Sequence, residues 1–236
     1  MEPQSQQDQW KRAAAIAALE EVSSGMRVGL GTASTADHFT RALGERVRAG
    51  LAITAVATSE RTAALARSLG ISLVDLDAVD YLDISFDGAD EVTLPNLDLI
   101  KGRGGALLRE KLVALASRRR IILVDETKLV PALGGGTVIP TEVALFGWRH
   151  TAARLAALGC QVTRRGTKDD PTQPFITDSG NYTLDLIFAN PPSPATLAPE
   201  IKAIPGVIEH GLFCHLTERV YIGGPNGARV VDRFSE

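Results

Sequence analysis

Short runs that are apolar almost throughout alternate along this chain with segments whose apolar residues recur every three to four positions. Residues 27–31 (RVGLG), 51–57 (LAITAVA), 71–74, 81–86 and 121–125 (IILVD) are of the first kind and predict strands. Residues 10–22, 35–49, 59–69 and 105–117 are of the second kind and predict helices. In 35–49, Phe39, Leu43 and Val47 fall on one face, and Ser59 and Gly70 mark the start and stop of the next helix. Apolar strands alternating with helices predict a parallel sheet covered on both faces. Ligands of such sheets bind outside the carboxyl ends of the strands.

The rhythm changes after Gly134-Gly135-Gly136. From there the chain reads strand (138–144), helix (148–158), strand (160–164), strand (175–177), strand (182–188), helix (195–203) and strand (207–209). That order is a split β-α-β unit of the ferredoxin-like type. Two last strands, 219–222 and 228–231, are read as returning to the first sheet. The expected architecture is α/β: a Rossmann-like parallel-sheet domain (1–136 and 211–236) and a smaller ferredoxin-like α+β domain (137–210).

Composition narrows the field. The chain has 236 residues, 44% hydrophobic and 22% charged, which is ordinary for a folded globular protein. A net charge of −3 argues against nucleic acid as a partner. The one dense basic run, Arg118-Arg119-Arg120, is read as a solvated helix end ahead of strand 121–125. Cys160 and Cys214 lie in no metal-ligand spacing and are read as free thiols. The four histidines form no zinc-binding motif, so no metal is expected. No signal-peptide core and no membrane-length apolar run is present, which predicts a cytoplasmic protein without a membrane partner, its tail frayed up to about Gln9.

Three motifs carry candidate chemistry. GLGTAST (29–35) joins a strand to a helix and offers backbone N–H groups and the hydroxyls of Thr32, Ser34 and Thr35 to a phosphate. It is not a dinucleotide fingerprint: Ser34 stands at the third glycine position and no acidic residue ends the second strand. DGAD (87–90) sets Asp87 and Asp90 on one turn at a strand end, with Glu91 read as a stabilising residue outside the site. KGRGGALLREK (101–111) follows a lone lysine, Lys101, with a Gly-rich turn and a helix. A helical wheel places Leu107, Leu108, Leu112 and Leu115 on the core face and Glu110 off it, between Ala106 and Ala114. Lys111 falls in the apolar arc and is read as snorkelling outward. Carboxylates, a cation and exposed N–H groups are what an enzyme needs to move a proton beside a carbonyl.

Together and in this order, these motifs resemble the ribose-5-phosphate isomerases of the A type. TSERTAALARSLGI (58–71), Lys128 in DETK, TDSGNYTLD (177–185) and IPGVIEHGLF (204–213) extend the resemblance over nearly the whole chain. It implies a cofactor-free aldose–ketose isomerase that interconverts ribose 5-phosphate and ribulose 5-phosphate, assembled as a homodimer or homotetramer. It implies Glu110 as the base, with Asp87, Asp90 and Lys101 as its polar companions. It further implies substrate contacts from Thr32, Ala33, Ser34, Thr35, Gly88, Ala89, Gly102, Arg103, Gly104 and Lys128, and a phosphate contact from Lys11. Two residues depart from the family pattern. Ala33 replaces a glycine, which costs about 1 kcal/mol if the position needs a positive φ. Arg103 stands in the Gly-rich turn, and either points to solvent or adds a cation near the substrate. The rival readings are a non-catalytic phosphosugar sensor, a nucleotide-dependent oxidoreductase and a coenzyme A transferase-like enzyme.

Overall fold

The structure, a computed structural model, describes residues 5–233. In chain order its elements are α1 (Gln6–Ala17), β1 (Arg27–Leu30), α2 (Ser34–Arg48), β2 (Thr54–Ala57), α3 (Glu60–Ser68), β3 (Leu82–Asp87), β4 (Glu91–Thr93), β5 (Leu99–Ile100), α4 (Leu107–Ala116), β6 (Ser117–Asp125) and β7 (Leu129–Val130). The chain continues with β8 (Ile139–Val143), α5 (Trp148–Ala156), β9 (Gln161–Arg164), β10 (Tyr182–Ile187), α6 (Pro194–Lys202), β11 (Val207–His210), β12 (Leu212–Phe213), β13 (Arg219–Gly224) and β14 (Gly227–Asp232).

The first sheet has six strands in the order β14-β13-β6-β3-β1-β2. All neighbours are parallel except the edge hairpin β13-β14. One face packs against α1, α2 and α3 through Ala14, Phe39, Leu43 and Ala66, with the Phe39 and Phe86 rings stacked 4.0 Å apart. Because β1, β3 and β6 are neighbours, the loops at their carboxyl ends (31–33, 88–90 and 126–128) lie side by side. Gly31 is required there: a Cβ on it would collide with the Asp87 carboxyl group.

The second sheet is antiparallel, β11-β8-β10-β9. Counted within the unit, its strands run 4-1-3-2 with a helix after the first and third, which is the ferredoxin-like pattern. Leu155, Leu197 and Ile201 of α5 and α6 close over Ile139, Val143, Leu184 and Leu186. A third small sheet, β12-β5-β4-β7, joins the chain on both sides of the other two. The sequence offered no sign of it, since strands of two or three residues show no period.

Several expectations are corrected. Helix α1 starts at Gln6: Ser5 Oγ accepts from the Asp8 N–H at 3.2 Å, and the Gln7 amide donates to Thr127 Oγ1 at 3.1 Å. The expected fraying is therefore absent for residues 6–9, while residues 1–4 lie outside the described part. Strands 71–74 and 175–177 shrink to single bridges, Leu73 to Ala55 and Ile176 to Tyr182. Arg118, Arg119 and Arg120 belong to β6 and not to a helix end. Their charges are used locally: Arg118 lies 3.5 Å over the Tyr81 ring, Arg119 pairs with Glu21 at 2.8 Å, and Arg120 pairs with Glu218.

Helix α4 also turns differently from the wheel. Leu112 and Leu115 are 47% and 60% exposed, whereas Leu107, Glu110, Lys111 and Val113 are buried. The helix sits between two units, so its buried face follows polar partners as well as apolar ones. Lys111 does not snorkel: its Nζ donates to the carbonyls of His210 (2.7 Å) and Leu212 (3.0 Å) and to Glu209 (2.7 Å). Lys111 thus ties α4 to the crossing between the second and third sheets.

Candidate active site

Strand β3 ends in Asp87, and β5 ends one residue before Lys101. Helix α4 packs against a face of the same sheet through Val113 and presents Glu110 from its first turn. The three side chains meet: Lys101 Nζ lies 3.0 Å from Asp87 Oδ2 and 3.3 Å from Glu110 Oε2, and it donates to the Gly88 carbonyl at 2.6 Å. Asp87 is further fixed because its Oδ1 accepts the N–H groups of Thr32 (3.1 Å) and Gly88 (2.7 Å). Glu110 and Lys101 are each only 3% exposed. Glu110 Oε2 accepts no hydrogen bond from the described residues.

One buried cation between two buried carboxylates cannot compensate both. Burial raises the Glu110 pKa from 4.5 to about 8; Lys101 opposes this and the Asp87 charge adds to it. Burial also raises Asp87, against the pull of Lys101. Burial would lower Lys101, but Asp87 and Glu110 outweigh it and hold the ammonium above its ordinary range. Both carboxyl groups are therefore pushed up, Glu110 to about 8. At Glu110 desolvation outweighs the pull of Lys101.

Beside this closed pocket opens a cavity of about 510 Å³ lined by Lys11, the 32–35 loop, Arg61, Ala89, Asp90, Arg103, Gly104 and Lys128. Ala33 is the N-cap of α2 in an extended conformation, φ −156°, so the expected strain from replacing glycine does not arise. Its methyl leaves no room for a side chain at Gly88. It also supplies no capping oxygen, leaving the first-turn N–H groups of α2 available to an anion. Ser34 is exposed at this end, and Thr35 is buried. The Thr32 hydroxyl, expected as a phosphate donor, is instead committed to Thr58, Ser59 and Thr62 at 2.7 to 3.0 Å.

The Gly-rich turn differs in part from expectation. Of its N–H groups, that of Arg103 donates to Asp90 Oδ2 at 2.9 Å and that of Gly105 to the Gly102 carbonyl at 3.0 Å. These two are already used, so Gly102 and Gly104 are the donors to consider. Arg103 is exposed and borders the cavity, which joins the two readings of that residue. Glu91 is buried and accepts the Gly134 N–H at 2.7 Å, outside the site as expected. Sequence reasoning missed Arg61, which pairs with Asp37 at 2.6 Å. Its signal was present, for TSER directly follows the β2 strand end.

Two buried carboxyl groups and a lysine at the ligand edge of a Rossmann-like sheet, beside a cation-lined mouth, suit acid–base chemistry on an anionic ligand. The family model "Ribose 5-phosphate isomerase A (phosphoriboisomerase A)" matches residues 54–227. The ribose-5-phosphate isomerase A of Thermomicrobium roseum is 50% identical over 224 residues, covering 94% of this chain and 93% of the relative. The structure of ribose 5-phosphate isomerase A from Methanocaldococcus jannaschii superimposes with a TM-score of 0.91 at 39% identity, covering 95% and 99% of the two chains. A D-ribose-5-phosphate isomerase in complex with phospho-erythronic acid superimposes with a TM-score of 0.92 at 37% identity, covering 97% and 100%. The chain belongs to the ribose 5-phosphate isomerase A family, and is an isomerase.

Proposed function

We propose that this enzyme interconverts D-ribose 5-phosphate and D-ribulose 5-phosphate by proton transfer between C1 and C2, through a cis-enediolate. The observation that carries this reading is Glu110: a buried carboxylate raised to about 8, held 3.3 Å from Lys101 beside a cationic cavity. A base is most effective when its pKa lies near the working pH. The relative bound to phospho-erythronic acid, a phosphorylated sugar acid, supports the same substrate class.

The phosphate is assigned to Lys11, Lys128 and the first-turn N–H groups of α2, with Ser34 and Thr35 beside them. This directs the carbonyl end toward Lys101 and Glu110. Asp87, with Asp90, handles protons at the ring oxygen and O1 as the furanose opens. Glu110 takes the C2 proton of the aldehyde and returns it to C1. One base serves both carbons because they are adjacent and the enediolate is planar. Lys101 and the N–H groups of Gly102 and Gly104 stabilise the oxyanion. No step calls for a redox cofactor. We further assign the parallel-sheet domain to 1–136 and 211–236 and the small domain to 137–210. The working form is taken as a cytoplasmic homodimer or homotetramer in the non-oxidative pentose phosphate pathway.

The test is turnover of ribose 5-phosphate by the purified protein with no added cofactor and with a chelator present. Robust turnover, with solvent deuterium entering C1 of the ketose, is expected. Binding without turnover would support a phosphosugar sensor, and acyl transfer from coenzyme A thioesters would support the transferase reading.

A further inference from the structure

The catalytic segment 101–110 is gripped at several points by side chains from the small antiparallel unit. At its start, Arg165, just past β9, donates Nη1 to the carbonyls of Gly102 (2.8 Å) and Arg103 (3.1 Å). The rest of that guanidinium is held by Asp185 of β10, with Nε 3.0 Å from Oδ2 and Nη2 on Oδ1. In the middle, Gly105 has φ +79° and lies against the Phe175 ring, where any Cβ would collide. At its end, β8, which carries Glu142, packs against α4. Glu142 is 1% exposed, and its Oε1 accepts from Thr177 Oγ1 and Asn181 Nδ2, both at 2.9 Å.

These contacts have directional consequences. Arg165 draws two turn carbonyls to one side, which turns the following peptide N–H groups the other way. A buried carboxylate on the strand packed against α4 interacts favourably with the positive end of the helix dipole. Glu110 sits in the first turn of that helix. Glu142 has no cation within salt-bridge distance among the described residues; Thr177 and Asn181 donate to it, and the Arg109 charge acts on it from farther off. Burial pushes its carboxyl pKa up, while hydrogen bonds from Asn181 and Thr177 and the charge of Arg109 oppose that.

We propose that the small unit positions the catalytic segment: Arg165, braced by Asp185, aims the Gly-rich turn, and Glu142, braced by Thr177 and Asn181, aims the helix turn that carries Glu110. These are positioning residues, since neither lines the pocket or the cavity. The proposal rests on the isomerase reading of the site.

The test compares Arg165→Met and Glu142→Gln with the parent enzyme and with Leu197→Ala, a core truncation of the same unit remote from the segment. Small displacements of a reacting group cost one to two orders of magnitude in rate, so kcat should fall about 10-fold or more in both clasp variants. KM should stay within about 2-fold, because the phosphate-binding groups are untouched. The acid limb of the kcat–pH profile should move in Glu142→Gln, as the surroundings of Glu110 change. Leu197→Ala should lower the melting temperature and leave kcat and the pH profile at parental values. If Glu142→Gln does not fold, Thr177→Val, which removes one donor of the brace, is read in its place and should shift the profile in the same direction. The proposal is overturned if folded clasp variants keep parental kcat and pH profile, or if Leu197→Ala reproduces their losses. An inactive parent enzyme would instead overturn the isomerase reading itself.

Discussion

The closed Asp87–Lys101–Glu110 pocket and the open cavity beside it are built on opposite electrostatic plans. In the pocket every charge faces another protein charge within 3.3 Å, away from water. In the cavity Lys11, Arg103 and Lys128 form no ion pair among the described residues, and their partner is left to the ligand. The lesson is a division of labour. Burial makes protonation state the variable in the pocket, whereas the cavity is open and Lys11, Arg103 and Lys128 have no ion-pair partner among the described residues to give up. Substitutions in the pocket should therefore act on kcat and stability, and those in the cavity on KM.

The sharpest test is Glu110→Gln. Loss of the base should lower kcat by about four orders of magnitude with KM little changed, as steady-state kinetics would show. The same residue sets the pH response. Only the ionised carboxylate can act as base, so kcat/KM should climb with pH and level off above about 8. In the folded protein Glu110 keeps a proton that the unfolded chain has lost between 4.5 and about 8. Stability should then decline as pH rises through that window, and Glu110→Gln should gain melting temperature relative to the parent across it. A parental kcat in Glu110→Gln would remove the distinction between pocket and cavity.

Lys101→Met comes next. It strands two buried carboxyl groups without their cation, and breaking a buried ion pair from one side costs about 3–5 kcal/mol. Urea unfolding should show this loss, and the double variant with Asp87→Asn should recover part of it. Lys128→Ala probes the other region: a charge-assisted phosphate contact contributes about 1.5–3 kcal/mol, so KM should rise about 10-fold or more with kcat nearly parental. If kcat falls instead, the two regions are not separable. Ala33→Gly should have the smallest effect. Its extended backbone suits any residue, so glycine only frees the unfolded chain, and a loss of about 0.4–1 kcal/mol is expected from melting curves. A gain in stability would mean that the loop needs the conformational freedom of glycine.

Much of this contrast was legible in the sequence. Carboxylates and hydroxyls at the ends of apolar strands could be placed on the ligand edge because a parallel sheet puts all such ends on one side. The ferredoxin-like unit was legible because its strands are long enough to show a period. The inward turn of the Thr32 hydroxyl was not, since Thr58, Ser59 and Thr62 come to it from another strand end. Nor was the rotation of α4: a wheel ranks faces by apolarity, and here the buried face carries Glu110 and Lys111. Arg165 carried no signal either, because the carbonyls it holds lie in a different unit of the chain.

The order of elements, the α/β class and the residue types available at each strand end were determined by the sequence alone. They depend on local period and on turn chemistry, which act over a few residues. The tertiary structure decided which of those residues lose water, which charges meet, and which N–H groups of the Gly-rich turn are already spent. Those outcomes depend on groups far apart in the chain, such as Lys101 with the Gly88 carbonyl and Arg165 with the Gly102 carbonyl. Desolvation and Coulomb interaction act through space, so the raised pKa of Glu110 became visible only once the helix was packed against the sheet.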